Sequence, residues 1–332
     1  MSKYEIRAYR PGDEAAILAT FARAFGESLP PGTRPRTMAD WQWTYAANPA
    51  GMRVWVAMDG DVAAAHYASQ PNRARVDGEV RVFAQIVDSM VHPDYRRGLR
   101  RPGLFIETAQ KMLAETCGPS PDKDLVTYGW PTQTAWRAGM GYLDYEMVRR
   151  ESVLTRPPGE GPETFPEGVT ACTAFDERVR GLYERCASEW KASTIRDETY
   201  LNWRVFAHPD RPYRALLRTR RGDELLGYAV ARASDWPMPG CTVLCDWLVP
   251  PADVMTGELL LEGVLADARA AGRTQLLALF PQWSPWFLFF QDRGFLVTAT
   301  DYFMSGRNNH PRHDMFWLRD FWWYQPIDLD LV

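Results

Sequence analysis

The chain has 332 residues, of which 38 are basic and 42 acidic, and its net charge is −4. This length fits about two domains of ~150 residues each. The balanced charge argues against a broad nucleic-acid-binding surface. The N-terminus lacks the apolar core of a signal peptide, and no stretch approaches the ~20 apolar residues of a membrane helix. We therefore expect a soluble, cytoplasmic protein with no nucleic-acid or membrane partner.

The cysteine and histidine patterns favour neither a disulfide framework nor a metal site. The five cysteines are scattered and odd in number, as is typical of reduced thiols in the cytosol. The five histidines lack metal-ligand spacing, so no metal ion is predicted. His66 lies among small apolar residues and is predicted to be a core residue. His92 follows a strand end and is predicted to lie at the surface.

Periodicity predicts the first elements in chain order. They are a strand, a helix after Asp13, a short aromatic helix and three strands, at residues 4–9, 14–25, 41–45, 54–58, 62–69 and 80–86. Asp59-Gly60 supplies a tight turn between two of these strands. A further strand, 87–91, leads into the central stretch of the chain.

The central stretch, residues 87–117, reads as a strand, an arginine-rich loop and a helix. Pro93 ends the strand, and Pro102 suits the first turn of the helix. Free N–H groups and the dipole of a helix start favour anions, and arginines add fork-shaped donors. The stretch therefore predicts a phosphate or pyrophosphate site. The alternative is a solvated basic loop before an ordinary amphipathic helix.

A second set of elements repeats the first. After a strand at 125–130, a helix at 131–140 and a strand at 145–149, a Pro/Gly-rich spacer spans residues 156–168. Trp43, Asp88 and Gly141 are then echoed by Trp203, Asp246 and Gly294, at offsets of 160, 158 and 153 residues. Ordered matches at nearly constant offset indicate two copies of one fold. The second copy has no arginine in the loop after Pro251.

These elements resemble the GCN5-related N-acetyltransferase (GNAT) superfamily, as two tandem domains. The resemblance is carried by Trp-x-Trp-x4-Asn-Pro from residue 41, Val91-His92-Pro93 before the arginine-rich loop, and Tyr128-Gly129-Trp130-Pro131. It implies an α/β fold with mixed sheets. It also implies a first domain at 1–155 with the acyl-CoA site, a linker at 156–168, and a second domain at 169–332 without one.

The resemblance also implies which residues bind acetyl-CoA. In the family, a splayed strand offers backbone N–H groups to the thioester and pantetheine, and the loop cradles the pyrophosphate. The corresponding residues here are Ser89, Met90, Val91, Arg96, Arg97, Gly98, Arg100, Arg101, Gly103 and Leu104. Gly98 comes early and Gly103 late relative to the family motif, and Phe105 stands where the family prefers glycine or alanine.

Two residues are candidates for proton transfer. Asp88 lies where many relatives carry a glutamate that acts as general base. It has an equally weighted structural alternative, because Asp246 occupies the same place in the second copy. Tyr128 is a candidate general acid, although a strand tyrosine is more often a core residue with a satisfied hydroxyl.

The function expected from the resemblance is transfer of an acetyl group from acetyl-CoA to a primary amine of a small molecule, with a homodimer left open. Three alternatives remain: a non-catalytic acyl-CoA sensor, a different nucleotide-binding module, and a relative that uses aminoacyl-tRNA. The modest charge disfavours the tRNA alternative. The aromatic run 316–324 is predicted to be a final strand, with an acceptor-pocket wall or domain-interface lining as alternatives.

Overall fold

The computed structural model describes residues 4–26, 34–96, 103–210, 212–220, 223–235 and 237–329. The chain forms two compact units. Unit 1 comprises residues 1–73, 80–148 and 304–315, and unit 2 comprises residues 74–79, 149–303 and 316–332. The domain boundaries at 155 and 169 stay predictions.

The helices and strands bear out the predicted α/β class. The helices are α1 (Glu14–Phe25), α2 (Met38–Trp41), α3 (Leu104–Thr116), α4 (Gln133–Tyr142), α5 (Arg178–Ala187), α6 (Glu198–Leu201), α7 (Val254–Ala270), α8 (Pro285–Asp292) and α9 (Met315–Phe321). The strands are β1 (Glu5–Ala8), β2 (Arg53–Asp59), β3 (Val62–Val76), β4 (Glu79–Val91), β5 (Asp124–Gly129), β6 (Glu146–Arg156), β7 (Val169–Cys172), β8 (Ala192–Thr194), β9 (Arg214–Thr219), β10 (Leu225–Ser234), β11 (Cys241–Leu248), β12 (Gln275–Ala278), β13 (Leu296–Asn308) and β14 (Trp322–Trp323).

The sheet of unit 1 has the order β1-β2-β3-β4-β5, followed by residues 305–308 of β13. Its hairpin strands pair antiparallel, whereas β4 and β5 run parallel. Gly60, at φ +59°, closes the turn between β2 and β3, as its lack of a side chain permits. Neighbouring residues of β2 alternate between two cores. Val56 packs under α1, and Trp55 packs against α3.

Unit 2 repeats this order as β7-β9-β10-β11-β12, and β11 and β12 are its parallel pair. The outer neighbour of β12 is the unit-2 part of β6, which pairs with it antiparallel. The shared strand order and the shared parallel pair confirm that the chain contains two copies of one fold.

The aromatic echo marks one local structure in both units. The predicted helix at 41–45 is α2 followed directly by a π-helix, Gln42–Ala46, and α6 is likewise followed by a π-helix, Asn202–Phe206. Thr37 and Asp197 cap the two preceding helices with their side-chain oxygens. These matched π-helices, 160 residues apart, carry the Trp-x-Trp motif and its counterpart.

The prediction of a final strand at 316–324 is largely wrong. Most of this run forms α9, and only Trp322–Trp323 forms a strand, which pairs with β8 in parallel. The helix outcompetes the strand pattern because Met315 and Leu318, three residues apart, share the buried side of the turn.

Candidate active site

The parallel strands of unit 1 diverge at their carboxyl ends. Their register pairs end at Gln85 and Tyr128, whereas β4 continues for six more residues to Val91. Within this extension, Asp88 has φ +49°, a left-handed conformation that is uncommon for a residue other than glycine. The predicted acyl-CoA contacts Ser89, Met90 and Val91 therefore follow a backbone irregularity, on the part of β4 that has left β5.

Three side chains hold the irregular backbone at Asp88. The Arg36 guanidinium lies 3.0 Å from Asp88 Oδ1, and the Tyr45 hydroxyl donates to Oδ2 at 2.9 Å. His66 Nδ1 lies 2.8 Å from the Asp88 carbonyl oxygen. Both carboxylate oxygens and the carbonyl are thus occupied, which supports the structural alternative for this residue. Such contacts can sustain a strained backbone conformation.

Unit 2 contains the matching ion pair. Asp246 accepts from the Arg196 guanidinium at 3.1 Å and from the Tyr228 hydroxyl at 2.6 Å. Arg36 and Arg196 are 160 residues apart, the same offset as the tryptophans of the repeat. Sequence reasoning missed Arg36, although extending the repeat five residues upstream of the Trp-x-Trp motif would have found it.

The other proton-transfer candidate, Tyr128, lies on β5 and is fully buried. Its hydroxyl accepts from the Asn72 side-chain amide at 3.4 Å. This environment is that of a core tyrosine with a satisfied hydroxyl.

The described part of the arginine-rich loop consists of its two ends. The Arg96 guanidinium donates to the carbonyl oxygens of Val91 and Ala24, at 3.0 and 3.2 Å, so it ties the end of β4 to α1. Gly103 precedes the first residue of α3, and Leu104 is buried. Arg97, Gly98, Arg100 and Arg101 lie outside the described residues.

The start of α3 is open within the described part of the chain. No side chain caps it, and a Cβ at Gly103 would meet no described atom within 4 Å. The start of α7 in unit 2 is closed. The Asp253 carboxylate accepts from the Thr256 N–H, and a Cβ at Gly257 would lie 2.7 Å from the Trp286 ring. A carboxylate cap excludes a second anion, so only the first helix start suits a phosphate group.

The helix that follows the parallel pair differs in the same sense. In unit 1, α4 buries only Gly139 among its ten residues. In unit 2, α8 buries Trp286, Phe287, Phe289 and Phe290 among its eight. Trp247 on β11 is fully buried between two of these rings, with centroids 5.4 Å from Trp286 and 5.4 Å from Phe290. The residue of unit 1 that corresponds to Trp247 is Ser89, which is half-buried.

Residues 5–143 match the family model described as an acetyltransferase (GNAT) domain. This match covers the diverging strands, the Asp88 cluster and the start of α3. The chain belongs to the GNAT superfamily. A comparison with curated proteins found no match.

Solved structures share the GNAT fold along nearly the whole chain. A conserved Enterococcus faecalis V583 protein, described as a probable N-acyltransferase, is 13% identical with a TM-score of 0.65, covering 96% of this chain and 74% of that one. A GCN5-related N-acetyltransferase from Anabaena variabilis ATCC 29413 is 13% identical with a TM-score of 0.63, at 92% and 73% coverage. Saccharomyces cerevisiae N-myristoyltransferase with bound myristoyl-CoA is 12% identical with a TM-score of 0.58, at 92% and 82% coverage.

The remaining histidine and metal predictions concern the surroundings of this GNAT site. His66 is fully buried, as predicted, and burial lowers the pKa of its imidazole. His92 is half-buried, and its Nδ1 accepts from the Asp94 N–H at 3.3 Å. The described residues hold no group of three potential metal ligands. None of the described helices is long and apolar enough to cross a membrane.

A shallow polar depression in unit 2 lies away from these elements. It is lined by the Pro/Gly spacer and the end of α7. Its arginines Arg269 and Arg273 already donate to backbone carbonyls, of Pro158 and Cys241 among others. The depression therefore presents no clear anion site.

Proposed function

We propose that this protein is an acyl-CoA-dependent N-acyltransferase whose working site lies in unit 1. In this proposal it moves an acetyl group from acetyl-CoA to a primary amine of a small molecule, by direct attack of the amine on the thioester. Unit 2 is a copy of the fold without a CoA site.

One observation carries the proposal, namely the difference between the two units at equivalent positions. Unit 1 has a small side chain, Ser89, after the divergence of its parallel strands, and an uncapped helix start at Gly103. Unit 2 has Trp247 and the acidic cap Asp253 at the corresponding places. Thus unit 1 offers room for a pantetheine chain and a site for a pyrophosphate, whereas unit 2 has filled the room and neutralised the helix start.

The chemistry requires a neutral amine, hydrogen-bond donors for the thioester oxygen, and a route for the thiolate. Backbone N–H groups of Ser89, Met90 and Val91 are the proposed donors, because the divergence of β4 from β5 leaves this stretch outside the β5 register. Arg96, Arg97, Gly98, Arg100, Arg101, Gly103 and Leu104 are the proposed pyrophosphate and pantetheine contacts. Asp88 as base and Tyr128 as acid stay predictions.

The second candidate is a non-catalytic acyl-CoA-binding or sensor protein. It is favoured by the full occupation of the Asp88 oxygens and by the burial of Tyr128, because neither group is poised to exchange a proton with a substrate. Both candidates predict that acetyl-CoA binds, and they differ only in turnover.

A direct experiment separates the two. The full chain is titrated with acetyl-CoA and with myristoyl-CoA by calorimetry, and then incubated with each thioester and a panel of primary amines while free thiol is followed. Amine-dependent thiol release supports the transferase, and the preferred thioester gives the acyl length. Binding without release from any amine supports the sensor, and absence of binding contradicts both.

A further inference from the structure

His66 is a buried imidazole on the same face of β3 as the π-helix of unit 1. Its ring lies edge-on to the Tyr45 ring at 6.1 Å, and its Nδ1 lies 2.8 Å from the Asp88 carbonyl oxygen. A carbonyl oxygen can only accept, so Nδ1 carries the ring proton. In the neutral imidazole, Nε2 is then a bare lone-pair acceptor.

This Nε2 atom is buried and has no hydrogen-bond partner among the described residues. Buried polar atoms in folded proteins nearly always have a partner, from the protein, from ordered water or from a ligand. The Asp88 irregularity, beside which His66 lies, immediately precedes the proposed thioester contacts. A water or a substrate atom is therefore expected at Nε2.

The equivalent position in unit 2 shows what this residue does where no catalysis is proposed. The His92 N–H donates to the Ala64 carbonyl, which places His66 opposite Met90, two residues after Asp88. Tyr228 lies opposite Leu248, two residues after Asp246, and its hydroxyl binds the Asp246 carboxylate. In unit 1, Tyr45 makes that contact from a different element, the π-helix. The strand position thus carries an imidazole that the carboxylate does not need.

We propose that His66 Nε2 accepts the proton of the acceptor amine, directly or through one water, an inference that rests on the N-acyltransferase function proposed above. The ammonium gives one proton to Nε2, and the free amine attacks the thioester carbon. The C–N bond forms, the C–S bond breaks, and the second amine proton goes to the departing thiolate. The imidazolium then releases its proton to solvent, which leaves the amide, CoA thiol and one proton.

The charged groups around the ring are consistent with this role. Asp88 raises the pKa of His66, Arg36 lowers it, and the largest effect is burial, which also lowers it. The Tyr45 hydroxyl faces the ring from the π-helix and is bonded to the Asp88 carboxylate. The imidazole is therefore neutral at pH 7, as a proton acceptor must be.

The test uses the full chain with acetyl-CoA and the best amine of the panel. His66→Asn keeps an N–H donor near the Asp88 carbonyl but has no basic nitrogen. We expect kcat at pH 8 to fall about 100-fold or more, the usual contribution of a general base, with acetyl-CoA affinity within about 2-fold of wild type. In the wild type, kcat/KM should fall with a single-proton limb below pH 6.5, and His66→Asn should lose that limb.

Each outcome decides the inference. Wild-type turnover in a His66→Asn variant that binds acetyl-CoA overturns it, because holding the Asp88 carbonyl would then suffice. If the variant does not fold, the wild-type profile decides, and a kcat/KM that stays flat between pH 5 and 6.5 overturns it. Absence of thiol release from the wild type contradicts the proposed function itself, which is a separate result.

Discussion

Trp247 and Trp286 meet edge to face in unit 2, with ring centroids 5.4 Å apart and an interplanar angle of 69°. Both side chains are almost completely buried. They bring β11 and α8 together after the parallel strands of this unit have diverged. The corresponding place in unit 1 holds Ser89, so a tryptophan there should close the proposed site as its counterpart does.

We therefore predict that Ser89→Trp weakens acetyl-CoA binding at least 100-fold, measured by calorimetry, because the indole occupies the room proposed for pantetheine. Ser89→Ala is the matched control and should bind within about 3-fold of wild type, since backbone N–H groups are the proposed contacts. Tight binding by a folded Ser89→Trp variant would show that the ligand does not use this divergence.

The helix start at Gly103 gives a prediction about charge. Gly103→Glu places a carboxylate at the start of α3, where the described chain leaves space for a side chain, and should weaken acetyl-CoA binding about 10-fold. Gly103→Gln has nearly the same shape without the charge and should cost clearly less. The difference between the two variants should shrink as salt is raised. Equal affinities for both at low salt would contradict a pyrophosphate at this helix.

The Asp88 cluster predicts that stability and turnover respond separately. Asp88→Asn removes the charge that pairs with Arg36, and both side chains are mostly buried. We expect the free energy of unfolding in urea to fall by about 1–3 kcal/mol and turnover to slow, with acetyl-CoA affinity nearly unchanged. The acid limb of kcat/KM should persist. A variant with full activity would end the candidacy of Asp88 as base, and loss of the limb would assign that role to Asp88.

Glu151 in unit 2 predicts a pH-dependent stability. This glutamate is 3% exposed, burial raises its pKa to about 7, and the Tyr324 hydroxyl donates to it at 2.5 Å. A carboxyl whose folded pKa exceeds its unfolded value favours folding at low pH, and this contribution is lost as pH rises through about 7. Glu151→Gln should therefore stabilise the protein at pH 8 by up to about 3 kcal/mol and be near neutral at pH 4.

Urea unfolding at the two pH values measures this effect. Glu146→Gln, an exposed glutamate on the same strand, is the control and should change stability little at either pH. Equal stability of Glu151→Gln and wild type at pH 8 would show that the buried carboxyl does not ionise at a cost.

The sequence by itself determined the α/β class, the two copies of one fold and the position of the strand and helix around the arginine-rich loop. These features rest on local periodicity and on offsets near 160 residues, which can be read along the chain. For the same reason Arg36 was within reach, because Arg196 stands at the same offset. Local pattern failed at the C-terminal run, where α9 replaced the expected strand.

Only the tertiary structure decided how the copies differ in function. The Asp88 contacts join residues 22 to 52 positions apart, and the rings that meet Trp247 come from 39 and 43 residues further along the chain. Hydrogen bonds and ring contacts of this kind depend on distance in space, which neither spacing nor composition encodes. The sequence could thus name Asp88, Ser89 and His66, but only the fold shows which carboxylate oxygens are taken, which helix start is closed and which imidazole nitrogen lacks a partner among the described residues.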